Sequence, residues 1–488
     1  MSDQNLFDTE TLALLQELRE EGTDPYPLKY FPTHQAVDVL SNFSTLENQT
    51  VTIAGRVVTK RLHGKAGFAH LLSGGTKIQI YFRKDNLDEA TFQLVKKRIN
   101  VGDIIGVTGE VFKTHTGETT VSVSKCELLS KALSPLPEKF HGIENIEVRY
   151  RQRYLDLIMN EDVRNTFRMR SDILRSIRET LHQEGYMEVE TPTLQEIYGG
   201  ALAKPFMTHH NALDQDFYLR IAPELYLKRL IIGGFDKVFE IGKAYRNEGI
   251  SINHNPEFTL MELYEAYGNY ETMMDIAEKL LIGIRDHVLH KDVIEYRGKT
   301  IHLSAPFKRM KLAEAFDCYA HVDIHKLQDE QYAKEYLRNE KIHVDKHMSW
   351  ANIVDEVLKK KVEPNLTDPT FLYEYPLPLS PLAKKTSQDS QWVERFQLIM
   401  GSLEVGNAFT ELNDPVDQQE RFLAQSDARQ HGDEEAHTFD RSYIEALKFG
   451  LPPTGGLGFG IDRIVMILTG CESIRDVLLF PQLRRRDR

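Results

Sequence analysis

Cysteine is scarce in this 488-residue chain: Cys126, Cys318 and Cys471 lie far apart and form no Cys-x-x-Cys pair. That spacing points to neither a disulfide framework nor a zinc ribbon. Long apolar runs are missing too, with none approaching the roughly 18 residues of a membrane span. The start, Met-Ser-Asp-Gln-Asn, has neither the basic nor the apolar stretch of a secretion signal, so the chain is expected to work in the cytoplasm and away from membranes. Its 18 histidines include no His-Glu-x-x-His or comparable metal spacing. No internal repeat or low-complexity block occurs. A positive surplus is also lacking: the formal charge is −13, which taken whole argues against a nucleic-acid partner.

The charge is nevertheless uneven. From Val51 to Pro135 there are 13 Lys and Arg against 7 Asp and Glu, so this segment carries +6 and the remainder −19. Such asymmetry is the footprint of a local basic face on an acidic protein. The same segment reads as short alternating runs, Val51–Val58, Ile78–Phe82, Ile104–Gly109 and Thr120–Ser124, separated by glycine turns at Gly64, Gly74-Gly75 and Gly117. With a helix over Asp88–Arg98 between the third and fourth strands, the pattern predicts an OB-fold β-barrel over 49–135. Residues 1–48 form a helical extension, with an amphipathic helix over 6–22 followed by a proline-containing loop. A linker over 136–155 holds Arg149, Arg151 and Arg153, and a second domain runs over 156–488. Its tract 285–370, helical and rich in Lys and Glu, is expected to be an insertion or peripheral layer. The basic end Leu483–Arg488 is expected to be solvated.

Three ordered stretches carry chemistry. Glu184-Gly-Tyr-Met-Glu-Val-Glu190-Thr-Pro192 leaves an amphipathic helix for a strand. Arg246-Asn-Glu248, His254-Asn-Pro-Glu-Phe258-Thr and Glu262-Leu-Tyr264 follow, and Gly455-Gly456-Leu-Gly458-Phe-Gly460-Ile-Asp462-Arg463 is a glycine-rich strand entering an apolar helix. A guanidinium such as that of Arg246 is planar, permanently charged and multidentate, and so can fork onto an α-phosphate and a carboxylate. Phe258 offers a flat face to adenine, Glu248 and Glu262 accept from amino groups, and Arg463 at a helix start can clamp a γ-phosphate.

Together and in this order the stretches resemble motifs 1, 2 and 3 of class II aminoacyl-tRNA synthetases, and over nearly the whole chain the sequence resembles the lysyl-tRNA synthetase family. The resemblance implies an α+β architecture, an anticodon-binding OB-fold followed by a catalytic domain with an antiparallel sheet flanked by helices. It implies ATP-dependent activation of L-lysine to lysyl-adenylate, transfer to the terminal ribose of tRNA(Lys), magnesium at the ATP phosphates and a homodimer. By the same resemblance ATP is held by Arg246, Glu248, His254, Phe258, Glu404, Gly460 and Arg463, with Arg246 and Arg463 catalytic. Glu224 and Glu411 face the ε-ammonium of lysine, Tyr264, Asn407 and Phe409 enclose its stem, Gly200 and Glu262 take its α-amino group and Arg246 its α-carboxylate. Arg61, Phe68 and Gln79 match the anticodon readers.

One departure stands out. The family's Arg-Phe-Glu is Arg395-Phe-Gln397 here, which leaves Glu404 as the matching magnesium ligand and puts the metal count in doubt. Two alternatives stay open on these residues: an aspartyl or asparaginyl relative, against which the double-glutamate pocket argues, and a diverged paralogue acting in RNA binding or regulation.

Overall fold

The computed structural model describes residues 7–137, 145–343, 349–430 and 438–484. They fall into two compact units, Met1–Arg164 and Asn165–Arg488. The basic residues 485–488 lie outside the described residues.

In the first unit, the helix Thr9–Glu20 starts where Asp8 accepts from the amide of Thr11 at 2.7 Å, an N-cap that satisfies one orphan donor. Strands β1 (Thr50–His63), β2 (Ala66–Ser73), β3 (Thr76–Arg83), β4 (Ile104–Lys113) and β5 (Thr119–Ser130) close into a barrel in the order β1-β2-β3-β5-β4. The alternation seen in the sequence faces Val51, Ile53, Leu71, Ile80, Val107 and Val121 inward, as the period of two requires. The helix Glu89–Gln93 and its continuation to Arg98 lie between β3 and β4, so the OB-fold expectation holds.

The stretch expected as a linker is partly helical. Ile146–Arg151 and Arg153–Met159 form two short helices because the buried carboxylate of Asp156 accepts from Arg149 Nε at 2.9 Å and Arg153 Nη1 at 2.6 Å. The arginine cluster is thus an ion-paired structure, and the division between units falls at 164/165 rather than at 155/156.

The second unit is built on eight strands. In chain order these are β6 (Met187–Glu188), β7 (Lys237–Tyr245), β8 (Glu257–Ala266), β9 (Lys308–Lys311), β10 (Thr370–Pro376), β11 (Trp392–Met400), β12 (Leu403–Thr410) and β13 (Thr454–Gly460). The sheet order is β9-β10-β11-β12-β13-β8-β7-β6. All neighbours are antiparallel except the edge pairs β9/β10 and β6/β7. One face packs on the helices Glu161–Gln183, Tyr270–Ile284 and Ile461–Leu468, with Met261, Leu263, Leu398, Val405, Leu457 and Phe459 pointing into that core.

The tract 285–370 is more than a helical insertion. It contributes a hairpin, Val293–Tyr296 with Lys299–His302, and the edge strand β9. Its helices bury Leu312, Phe316, Leu337 and Val354 in a core shared with Tyr375, Val393 and Ile399 of the sheet.

Candidate active site

Alternation along the central strands decides which residues face the open side. On β8, Met261 and Leu263 enter the core, so Glu262 and Tyr264 face the other way; β11 presents Arg395 and Gln397, β12 presents Asn407 and Phe409, and β13 presents three glycines. The result is a cavity of about 350 Å³ lined by Gly200, Glu224, Arg246, Glu248, His254, Phe258, Glu262, Tyr264, Gln397, Glu404, Asn407, Phe409, Glu411, Gly460 and Arg463. Every residue expected at ATP or at the amino acid therefore lines one space, although they come from segments more than 200 residues apart.

At one end, the Arg246 guanidinium lies 5.0 Å from the centroid of the Phe258 ring, and its Nε is buried without a hydrogen-bond partner. Arg463 donates from Nη1 to the carbonyl of Glu404 at 2.8 Å, lies 4.0 Å from the Glu404 carboxylate, and its Nη2 is 2.9 Å from His254 Nε2. Burial and the Arg463 charge pull His254 down to about 4, so the imidazole is neutral near pH 7 and its ring nitrogen can accept from the guanidinium.

At the other end sit three buried carboxyls, Glu224, Glu262 and Glu411. Tyr264 donates its hydroxyl to Glu262 at 3.0 Å. Burial, reinforced by the Glu224 charge, holds Glu262 well above the usual carboxylate range, and burial pushes Glu411 up to about 8. Both oxygens of Glu411 are buried; Oε2 meets the Lys228 ammonium, and Oε1 has no hydrogen-bond partner. Gly200, at φ +88°, passes so close that an added Cβ would meet the Glu224 Cβ at 2.8 Å, which only glycine tolerates.

Sequence reasoning missed three residues. Lys228, one helical turn after Glu224, donates to its carboxylate at 2.6 Å and also pairs with Glu411; the Glu-x-x-x-Lys spacing was the available signal. Arg395 lines the cavity, donates to Asn407 Oδ1 at 2.9 Å and stacks 4.6 Å from the Tyr375 centroid. Tyr375 donates to Gln397 Oε1 at 2.7 Å, so that amide oxygen already carries one bond.

In the barrel unit, Arg61, Phe68 and Gln79 line one groove. Phe68 is 40% exposed rather than a core residue, and its ring centroid is 4.8 Å from that of Tyr81, which lies 6.3 Å from Phe112. Gln79 is held on both sides, accepting from Thr120 at 2.8 Å and donating to Glu118 at 2.7 Å.

A glycine-lined sheet with Arg246 and Arg463 on one cavity, and in the same chain a barrel with Phe68 exposed beside Tyr81, suits an enzyme that uses a nucleotide and handles nucleic acid. Residues 145–484 match the family described as tRNA synthetases class II (D, K and N), and residues 51–129 match the OB-fold nucleic acid binding domain. The chain belongs to the class II tRNA synthetases. It is 52% identical to the lysine–tRNA ligase of Carboxydothermus hydrogenoformans, over 98% of this chain and 97% of the relative. It is 49% identical to the lysine–tRNA ligase of Bacillus subtilis, over 97% of this chain and 96% of the relative. No helix among the described residues is long and apolar enough to cross a membrane.

Proposed function

We propose that this chain is a cytoplasmic ligase that activates L-lysine with ATP and passes it to the 3′-terminal ribose of tRNA(Lys). The observation that carries this is the polarity of one cavity: a buried donor, Arg246 Nε, without a hydrogen-bond partner at one end, and at the other two buried carboxylates, Glu224 and Glu411, that share one cation, Lys228. Lysine presents the complementary pair, a carboxylate and an ammonium separated by an apolar stem, and a buried donor or acceptor left unmatched is unfavourable.

In this reading Phe258 stacks on adenine, Glu248 accepts from its amino group, and Gly460 leaves room at the nucleotide. Arg246 forks onto the lysine carboxylate and the α-phosphate, and Arg463, steered by the neutral His254 and the Glu404 carbonyl, clamps the γ-phosphate. Held in line, the carboxylate oxygen attacks the α-phosphorus and pyrophosphate departs, so catalysis is positioning and charge stabilisation without a protein nucleophile. The ribose hydroxyl of tRNA then attacks the adenylate carbonyl and AMP leaves. Gly200 and Glu262 take the α-amino group, while Tyr264, Asn407 and Phe409 enclose the stem.

The residues present suit magnesium shared with ATP. Glu404 offers a carboxylate on the cavity wall, and Gln397 keeps one lone pair beyond its bond from Tyr375. Among the described residues no three His, Cys, Asp or Glu stand together as a metal cage, so phosphate oxygens and water would complete the shell. Once bound, the ion would offset negative charge on the phosphates. In the barrel, Phe68 stacks on an anticodon base, Arg61 meets phosphate and Gln79 reads a base edge. A homodimer joined through the first motif is part of the reading, supported by exposed Met187, Leu194 and Met207 on the segment after the long helix.

Pyrophosphate exchange with each of the twenty amino acids tests the proposal. Lysine-dependent exchange is expected, and exchange driven by aspartate or asparagine would overturn it.

A further inference from the structure

A lysine of the protein's own stands behind the two carboxylates at the amino-acid end of the cavity. Lys228 is fully buried, its Nζ donates to Glu224 Oε1 at 2.6 Å and forms an ion pair with Glu411, and the Tyr443 ring lies 6.0 Å away. Burial alone would strip its proton, but the two carboxylates more than compensate and hold it well above its ordinary value. The helix Glu224–Ile232 therefore carries both a carboxylate and its counter-charge, one turn apart, against a second carboxylate from beyond β12.

Counting charge gives this arrangement a purpose. With both carboxylates ionised, Glu224, Lys228 and Glu411 sum to one negative charge. Two buried carboxylates with no resident cation would sum to two, and such a pair holds a proton still more tightly than Glu411 does beside Lys228. One carboxylate beside Lys228 would sum to zero and offer nothing to a cation. We propose that Lys228 is a positioning residue that sets amino-acid selectivity: it cancels one of the two carboxylate charges, so that the pocket retains one negative charge for one substrate ammonium. The surrounding groups leave that sum intact. Tyr264 and Tyr443 are held neutral by burial, Glu262, which accepts from the Tyr264 hydroxyl, answers the substrate's second cation, its α-amino group, and Arg229 is paired with Asp440 at 3.0 Å.

The inference rests on the reading that this site activates lysine, and it predicts a rescue. Glu224→Gln lets Lys228 cancel Glu411 outright, so lysine kcat/KM should fall by about 100-fold or more, mainly through KM. Adding Lys228→Met to that variant removes the cation, frees the Glu411 charge and should restore about tenfold or more of the loss, with the KM for ATP unchanged in both proteins. A packing role for Lys228 predicts the opposite order, since losing a second buried side chain would deepen the defect. Exchange kinetics on the full chain, wild type, single and double variants, decide this; thermal melting checks folding, and Glu224→Gln/Lys228→Gln serves if the methionine version does not fold. A double variant no better than Glu224→Gln overturns the role of Lys228. Absence of lysine-dependent exchange in the wild type overturns instead the reading on which it rests.

Discussion

Glu411 has both oxygens out of water and a carboxyl raised to about 8 by burial, opposed by Lys228 and reinforced by Glu224. On the proposed reading, the protonated acid has no charge to offer the substrate's ammonium, so lysine binding below about pH 8 displaces a proton from the site. The sign follows: the lysine KM in pyrophosphate exchange should fall as pH rises from 6.5 to 8, by up to about tenfold per pH unit, and then level off. His254, held near 4, stays neutral across that window and contributes nothing to the slope. A lysine KM flat over that range would mean that Glu411 is ionised before lysine arrives. Gln397 gives a second residue-level expectation. Its oxygen accepts from Tyr375 at 2.7 Å and is neutral, so Gln397→Glu should keep that bond, add a charge to the cavity that Glu404 also lines and lower the magnesium concentration for half-maximal exchange. Coincident magnesium titrations of the two proteins would remove Gln397 from the metal site. These residues were legible as types in the sequence. The pairing of Glu224 with Lys228 was not, because a Glu-x-x-x-Lys spacing is ordinarily a solvated surface pair and nothing local marks it as buried.

On the strands, what the sequence conveyed depended on length and alternation. The barrel strands run 8 to 14 residues with one face apolar, and their period of two is readable directly. The edge strands β6 and β9, two and four residues long, are too short to show a period, and their pairing is set by partners distant in the chain. On the glycine-rich β13, the family resemblance assigns Gly460 to ATP, where a missing side chain leaves room. That fits Gly460, where an added Cβ would find its nearest neighbours at 3.8 and 4.0 Å, but Gly456 has a different task. Register pairs Gly456 with Tyr264 and Phe409, and a Cβ there would lie 2.1 Å from Glu411 Oε1 and 2.5 Å from the Tyr264 ring. Gly456→Ala should therefore displace Glu411, raising the lysine KM far more than the ATP KM and destabilising the fold by about 1–3 kcal/mol. Steady-state exchange with each substrate varied in turn, together with thermal melting, measures both. An unchanged lysine KM would place the amino-acid side chain elsewhere in the cavity.

Across the whole molecule, each unit has its own apolar core, one filling the barrel and another beneath the eight-stranded sheet, so damage on the surface of one need not reach the other. The net charge of −13 masks a local surplus of +6 over Val51–Pro135, and that surplus by itself is also what a solvated, lysine-rich sheet face would show. The sequence could not say whether Phe68 was core or surface, since alternation is symmetric until the filled face is known. In the fold its ring is exposed and lies tilted beside Tyr81, while the neighbouring Ala69 and Leu71 fill the barrel. Truncating Phe68 to alanine thus opens no cavity in the core and removes a stacking platform, a loss of about 1–3 kcal/mol for each base it carries. The expected outcome is a split: tRNA affinity and aminoacylation at limiting tRNA fall, while lysine-dependent pyrophosphate exchange and the melting temperature stay near wild type. Filter binding of tRNA(Lys) alongside exchange separates the two. Full charging by Phe68→Ala at limiting tRNA would mean that the anticodon is read by other residues of the groove, and a parallel fall in exchange would mean that the two units are energetically coupled.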